Sequence, residues 1–461
     1  EGSSSVDTSA LTGESMPVDV IEGNDVLSGS VNLNGVLTIK VTKLFKESTV
    51  SKILYLVEKA SSKKAHTENF ITKFAKYYTP TVVFLAALIG IIPPLVIDGA
   101  SFYEWIYKGL VFLVVSCPCA LVLSIPLTYF GGIGSASRQG ILIKGSNYLE
   151  ALSKVEIAVF DKTGTLTEGS FRVTEIKEYN NFKKEDIIKI ASYAEFYSNH
   201  PIANSIKNEY DGKISEEQIK DYKEIPGYGI TAKVDNKEVV IGNKKLMEKE
   251  NINIISADDK PGTVIYLAIN KIFAGYIVIN DKIKQNTENL VEKLKKIGIN
   301  KTVMMTGDNK ITAEHVKNKL NIDEYYAELL PHEKVEVVED LYKLKSPKGK
   351  LLFVGDGIND APVLVRSDIG IAMGGVGCDA AIEAADVVIM NDEPEKVYQS
   401  IKIANKTKKL VWQNIIIAIG IKVLVMILST IGIATMPQAV FADVGVALLA
   451  VLNASRILST R

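Results

Sequence analysis

The chain has 461 residues, room for about three domains at roughly 150 residues each, and its 53 Lys+Arg against 54 Asp+Glu leave a net charge of −1, which argues against a polyanion-binding surface and predicts no nucleic-acid partner. Hydrophobic residues make up 47% of it, enough for large cores and too many for a disordered chain, and three cysteines cannot form a disulfide scaffold. A mean hydropathy of +0.14 beside 23% charged residues implies that apolar and polar residues are segregated along the sequence.

The sequence opens Glu1-Gly2-Ser3 without Met or a signal peptide, which predicts a chain trimmed at its N terminus. Residues 1–65 are rich in Ser, Gly and Val and read as part of a β domain; they contain Thr12-Gly13-Glu14-Ser15, on its own an exposed turn. Two charge-free runs follow, 77–97 and 109–137, separated by a short loop with Asp98, Glu104 and Lys108. Each is long enough to cross a bilayer, which takes about 20 residues. The second run contains Cys117-Pro118-Cys119. Residues two apart on a helix point about 200° from each other. Pro118 distorts that turn and lets both sulfurs face one ion, and sulfur selects soft or borderline metals.

Residues 145–400 are soluble in character. Short apolar strands are predicted at 157–160, 301–305, 351–354, 369–372 and 387–390, with helices such as 287–296 and 311–320 between them, the pattern of a doubly wound α/β sheet. A hairpin-rich block at 171–274 interrupts it, with strands at 230–234 and 239–241, and reads as an inserted domain. Two more spans are predicted at 411–431 and 437–458, carrying the ionisable Lys422 and Asp443, which are costly in a membrane and functional by default. Lysines and arginines flank the spans on the side of the termini and the long middle segment, so the positive-inside rule puts both termini and that segment in the cytosol.

Several strand ends carry chemistry. Asp161 in Asp161-Lys162-Thr163-Gly164-Thr165-Leu166-Thr167 ends the first strand, where open α/β sheets bind ligands. Thr306-Gly307-Asp308 and Gly355-Asp356-Gly357-Ile358-Asn359-Asp360 end two others, and Pro331-His332-Glu333-Lys334 lies between them. Together they offer carboxylates for Mg²⁺, a lysine for phosphate charge and donors for phosphate oxygens. At the membrane, two thiolates and one carboxylate balance a divalent ion plus one ammonium, which favours a divalent cargo over Cu(I).

This set of motifs strongly resembles the P-type ATPases over essentially the whole chain, and Cys-Pro-Cys with Lys422 and Asp443 resembles their zinc/cadmium/lead-exporting subgroup. The resemblance implies a multidomain membrane protein: residues 1–65 as the C-terminal part of a β-rich actuator domain, 66–145 as a transmembrane pair, 146–170 with 275–400 as a haloacid-dehalogenase-like α/β phosphorylation domain, 171–274 as an α+β nucleotide-binding domain, and 401–461 as a second pair. It further implies about four more helices and an N-terminal metal-binding domain beyond this sequence. Asp161 would be phosphorylated from ATP. Asp161, Thr163 and Asp356 would hold Mg²⁺, with Asp360 supporting the metal shell. Thr306, Gly307, Asp308 and Lys334 would belong to the catalytic set, Lys334 contacting the phosphate, and Asn359 would help bind the cofactor. Glu195, His200, Gly227 and Gly229 would form the adenine site, and Glu14 would position the hydrolytic water. Thr163 stands where hydrolytic relatives of the fold carry an acid/base Asp, so the phosphoenzyme should persist until Glu14 arrives. Cys117, Cys119 and Asp443 would ligate Zn²⁺, Cd²⁺ or Pb²⁺, with Lys422 as counter-ion. A monomer in the plasma membrane is expected. A Cu(I) exporter of the same branch and a membrane-tethered phosphohydrolase are the alternatives.

Overall fold

The structure is a computed structural model that describes the chain except residues 9–16, 27, 43–69, 117–118, 199, 226, 258, 375–378, 432, 434 and 459–461. It has two compact units, Glu1–Ser62 with Val155–Tyr398, and Lys63–Lys154 with Gln399–Arg461.

In the first unit, a parallel sheet runs in the order Glu324–Tyr326, Lys301–Met305, Val155–Asp161, Lys350–Gly355, Ile369–Met373, Val387–Ile389. Its central strands are largely apolar runs because both faces are covered: Ile157, Ala158, Val159 and Phe160 are all buried, while the edge strand Glu324–Tyr326 is half-buried and polar. Each predicted strand falls within an observed one except for Met390, which lies past the strand end, exposed. The strand Val155–Asp161 comes first in sequence, and its neighbours on the two sides, Lys301–Met305 and Lys350–Gly355, come later. The strand order therefore reverses beside it, which is where such sheets open a crevice for ligands.

A second sheet is antiparallel throughout: Thr167–Glu178, Ile272–Ile283, Thr263–Ile269, Lys237–Gly242, Gly229–Val234, Ile219–Ile225. Its first two strands have 12 residues each and reach beyond the 171–274 block at both ends. The hairpin at Asp235-Asn236 has both residues at positive φ, the conformation of a tight hairpin turn. Helices Lys184–Ala194 and Pro201–Glu209 share one core with this sheet, and Lys244–Lys249 belongs to another. A three-stranded antiparallel sheet, Val18–Val20, Ser4–Asp7, Val31–Asn32, forms near the N terminus.

Among the described residues, four helical spans are long and apolar enough to cross a membrane: Lys76–Val96, Phe102–Ser137, Glu395–Ser429 and Met436–Ser455. The second differs from the sequence expectation. Glu104 and Lys108 are not in a loop but in the helix Phe102–Val115, where Glu104 sits in the favourable first turn and Lys108 Nζ lies 4.2 Å from the Trp105 ring centroid. That helix stops at Ser116, and a new one, Cys119–Ser137, begins after the undescribed residues 117 and 118. Pro93 and Pro94 lie in the last turn of the helix Phe70–Val96. The fold is thus a multidomain membrane architecture that joins mixed α/β domains to transmembrane helices.

Candidate functional site: a carboxylate cluster, an open cavity and a membrane ion pair

Asp161, Thr306 and Asp356 reach one place because their strands are register neighbours: Met305 pairs with Asp161, and Val354 with Phe160. Lys334 arrives on the helix Pro331–Tyr342, whose start is fixed by Glu333 accepting from the Leu330 amide at 2.7 Å. Its Nζ donates to Asp161 Oδ1 at 2.5 Å and to Asp360 Oδ1 at 3.0 Å. All three side chains are buried. Burial works against the Lys334 ammonium, but Asp161 and Asp360 outweigh it and hold its pKa above the ordinary lysine value. Asp161, Asp356 and Asp360 bring oxygens within 4.8 Å of one another. Burial, with the Asp360 charge beside it, pushes the Asp356 carboxyl up to about 7. Several hard oxygens converging under mutual repulsion fit the demands of Mg²⁺.

The turn after Asp161 depends on glycine. Gly164 has φ +70, and a Cβ there would run into the Asp356 carboxylate. Thr163 and Asn359 are buried at the same place. Sequence reasoning missed four contributors, Lys162, Thr167, Asp281 and Lys284. Lys162 Nζ lies 2.5 Å from Asp308 Oδ2 and 3.9 Å from Asp281 Oδ2, tying the first strand end to Thr306-Gly307-Asp308 and to the returning strand of the antiparallel sheet. Thr167 Oγ1 donates to Asp281, and Lys284 Nζ to the Gly164 carbonyl. The only available sequence signal was the spacing Asp281-x-x-Lys284 at the end of the returning strand.

Glu195, His200, Gly227 and Gly229 line one cavity of about 190 Å³, together with Glu224, Asn243, Ser5 and Asp19. His200 caps the helix Pro201–Glu209, its Nδ1 accepting from the Ile202 amide at 3.3 Å, so Nδ1 is unprotonated. Burial lowers its pKa, against the Asp19 and Glu224 charges. Burial, reinforced by Glu224, pushes Glu195 up to about 8. Asn243 steadies the glycine loop by donating to the Gly227 carbonyl at 2.8 Å while accepting from the Leu246 amide at 3.1 Å. Gly229, at φ +139, leaves no space for a Cβ against the Ile241 carbonyl.

In the second unit, Lys422 and Asp443 meet across two spans at 2.5 Å, and Lys422 Nζ also donates to the Val115 carbonyl at 3.0 Å, one residue before the helix break. Glu14 and Cys117 lie outside the described residues, as does the side chain of Cys119.

Residues 155–368 match the model of the haloacid dehalogenase-like hydrolases, and residues 1–58 match that of the P-type ATPase actuator domain. The chain is 57% identical to a cadmium, zinc and cobalt-transporting ATPase of Bacillus subtilis (strain 168), over 99% of this chain and 65% of that protein. It is 54% identical to a zinc-transporting ATPase of Synechocystis sp., over 99% and 63%. It thus spans slightly under two thirds of the length of these curated relatives. A crystal structure of a zinc-transporting PIB-type ATPase in the E2.Pi state superposes with a TM-score of 0.87 at 35% identity, covering 99% of this chain and 75% of that one.

Proposed function

The chain belongs to the P-type ATPases, in their PIB-type branch, and from that premise we propose that it is the catalytic and part of the transport machinery of an ATP-driven exporter of a soft divalent metal, Zn²⁺, Cd²⁺ or Pb²⁺. The observation that carries the reading is Lys334 bound between Asp161 and Asp360 with Asp356 alongside, in a chain whose apolar spans also bury a Lys422–Asp443 pair.

In this reading Asp161 attacks the γ-phosphorus of ATP, ADP leaves, and an aspartyl phosphate remains. Lys334 orients the nucleophile by holding Oδ1, and Lys162 keeps Asp308 beside it. Asp161, Asp356 and Asp360, with Thr163, would hold Mg²⁺, which when bound neutralises charge on carboxylates and phosphate. Thr306, Gly307 and Asn359 would support the nucleotide and its phosphates, while Glu195, His200, Gly227 and Gly229 take the base. The Thr163 hydroxyl cannot serve as a general acid or base near neutral pH, so hydrolysis falls to Glu14. Cys117, Cys119 and Asp443 would take the metal, and Lys422 would neutralise Asp443 when no metal is bound. The 171–274 block would be the nucleotide-binding domain, inserted in a phosphorylation domain of 146–170 and 275–400. The protein would act as a monomer in the cell membrane, with both termini and the catalytic domains cytosolic and no nucleic-acid partner.

The test is acid-stable labelling of the full-length protein by γ-labelled ATP with Zn²⁺, Cd²⁺, Pb²⁺, Cu⁺ or no metal. Labelling with the divalent ions only, abolished by Asp161→Asn, is expected. Labelling with Cu⁺ alone would overturn the cargo, and labelling independent of metal would favour a tethered phosphohydrolase.

A further inference from the structure

The chain leaves the parallel sheet after Asp161 and returns toward it at Lys284, through a neck of two strands, Thr167–Glu178 and Ile272–Ile283. Close to the turn that follows Asp161 their pairing is irregular. Asp281 pairs with Phe171 and Ile283 with Thr167, so two steps on one strand match four on the other. A bulge of this kind interrupts the ladder, and the backbone groups it releases need other partners. Asp281, buried, supplies them: its carboxylate accepts from the Thr167 hydroxyl and from the Ser170 amide at 3.2 Å. Beyond the bulge the Lys284 amide donates to the Leu166 carbonyl at 3.0 Å, and the Lys284 ammonium donates to the Gly164 carbonyl.

A lysine at a strand end is ordinarily solvated. Lys282 is of that kind, exposed and 3.1 Å from Glu168. Lys284 is half-buried, and burial lowers its pKa against the charges of Asp392, Asp356, Asp281 and Glu168. Its acceptor, Gly164, lies against the Asp356 carboxylate. Lys334 holds Asp161 and Asp360, and Lys162 holds Asp308. For Asp356 the lysine whose charge acts most strongly is Lys284, ahead of Lys334. None of the groups around Lys284 lines the cavity of Glu195 and His200. Its effect should therefore fall on the reacting carboxylates and not on nucleotide affinity.

We propose that Lys284 is a further positioning residue for phosphoryl transfer: by holding the Gly164 carbonyl beside Asp356 it fixes the turn that presents Asp161, and with it the spacing of the two carboxylates. This rests on the phosphorylation reading above.

The experiment uses the full-length protein in lipid, with Lys284→Met, Lys284→Arg and, as a control on the same strand, Lys282→Met. The first readout is the single-turnover rate of acid-stable labelling at saturating γ-labelled ATP with Mg²⁺ and Zn²⁺. The second is ATP binding by equilibrium dialysis in chelator, which needs no turnover. Misplacing a reacting group by about 1 Å costs on the order of a hundredfold in rate, so Lys284→Met is expected to slow labelling by about that factor. Its dissociation constant for ATP should stay within about twofold of the parent's, the split expected when only the transition state is affected. Lys284→Arg should recover most of the rate, because a guanidinium also donates to a carbonyl, and Lys282→Met should label at the parent's rate. Labelling of Lys284→Met at the parent's rate overturns the proposal, as does equal slowing in Lys282→Met. A joint loss of labelling and ATP binding that Lys284→Arg does not relieve overturns it too, since that is the pattern of a general structural defect. Absence of labelling in the unsubstituted protein, with ATP still bound, overturns the phosphorylation reading itself, so the two failures are distinguishable.

Discussion

Glu195 is a residue whose environment changes its chemistry. An ordinary glutamate is ionised above pH 4–5, but burial, with Glu224 nearby, raises this one to about 8. The folded protein thus keeps a proton that the unfolded chain releases. The stability this contributes is fully present below about pH 4.5 and is lost as pH rises toward about 8. Glu195→Gln removes that slope. The variant should melt at the parent's temperature near pH 4.5 and increasingly above it up to pH 8–9, a difference of several kcal/mol. A melting difference independent of pH would mean that the carboxyl is ionised throughout. Lys334 presents the opposite case, a buried cation on which two buried carboxylates depend. Lys334→Met leaves Asp161 and Asp360 facing each other uncompensated, at a cost of about 3–5 kcal/mol. A divalent cation is the natural substitute, so Mg²⁺ should raise the melting temperature of Lys334→Met more than that of the parent. Equal Mg²⁺ effects in the two proteins would show that the carboxylates do not share a cation site.

At the scale of elements, the turn after Asp161 offers a paired comparison. Gly164 and Gly169 both have positive φ, +70 and +67, so alanine at either costs about 1–2 kcal/mol of backbone strain. They differ in surroundings. A Cβ on Gly164 collides with the Asp356 carboxylate, whereas one on Gly169 meets nothing closer than 3.6 Å. Gly164→Ala should therefore abolish phosphorylation, while Gly169→Ala should lose similar backbone stability and still label. Equal labelling of both would show that the turn does not set the position of Asp356. Much at this scale was legible in the sequence. The central parallel strands announce themselves as apolar runs, such as Ile157–Phe160 before Asp161 and Leu351–Val354 before Gly355, because burial on both faces leaves no room for alternation, whereas the edge strand Glu324–Tyr326, polar and half-buried, gave no such signal. The Lys162–Asp308–Asp281 tie was not legible, since no local pattern links residues more than a hundred positions apart. The helix Phe102–Val115 was drawn too short at its start because Glu104 and Lys108 look like loop residues. The helix accepts both, the acid through the dipole at its first turn and the lysine, mid-helix, through its aromatic neighbour.

For the molecule as a whole, the question is how a membrane segment keeps two ionisable groups without metal. Lys422 and Asp443 were both legible as charges among apolar residues, but their pairing was not, because 21 positions and a turn separate them. The pair leaves room only for a cavity of about 10 Å³, barely one water, so each charge depends on the other. Removing one partner from a buried pair typically costs about 3–5 kcal/mol, whereas replacing both with apolar residues of similar size is often neutral. Asp443→Ala and Lys422→Met should each lower the melting temperature of the full-length protein in lipid, and the double variant Lys422→Met/Asp443→Leu should recover most of that loss. None of the three should transport, because the double variant restores packing without restoring a ligand or a counter-ion. A double variant as unstable as the sum of the singles would mean that the two groups do not act as a pair. Recovered stability with no transport would separate the two roles and show that the pair is kept for handling the ion, since an apolar substitute holds the helices equally well.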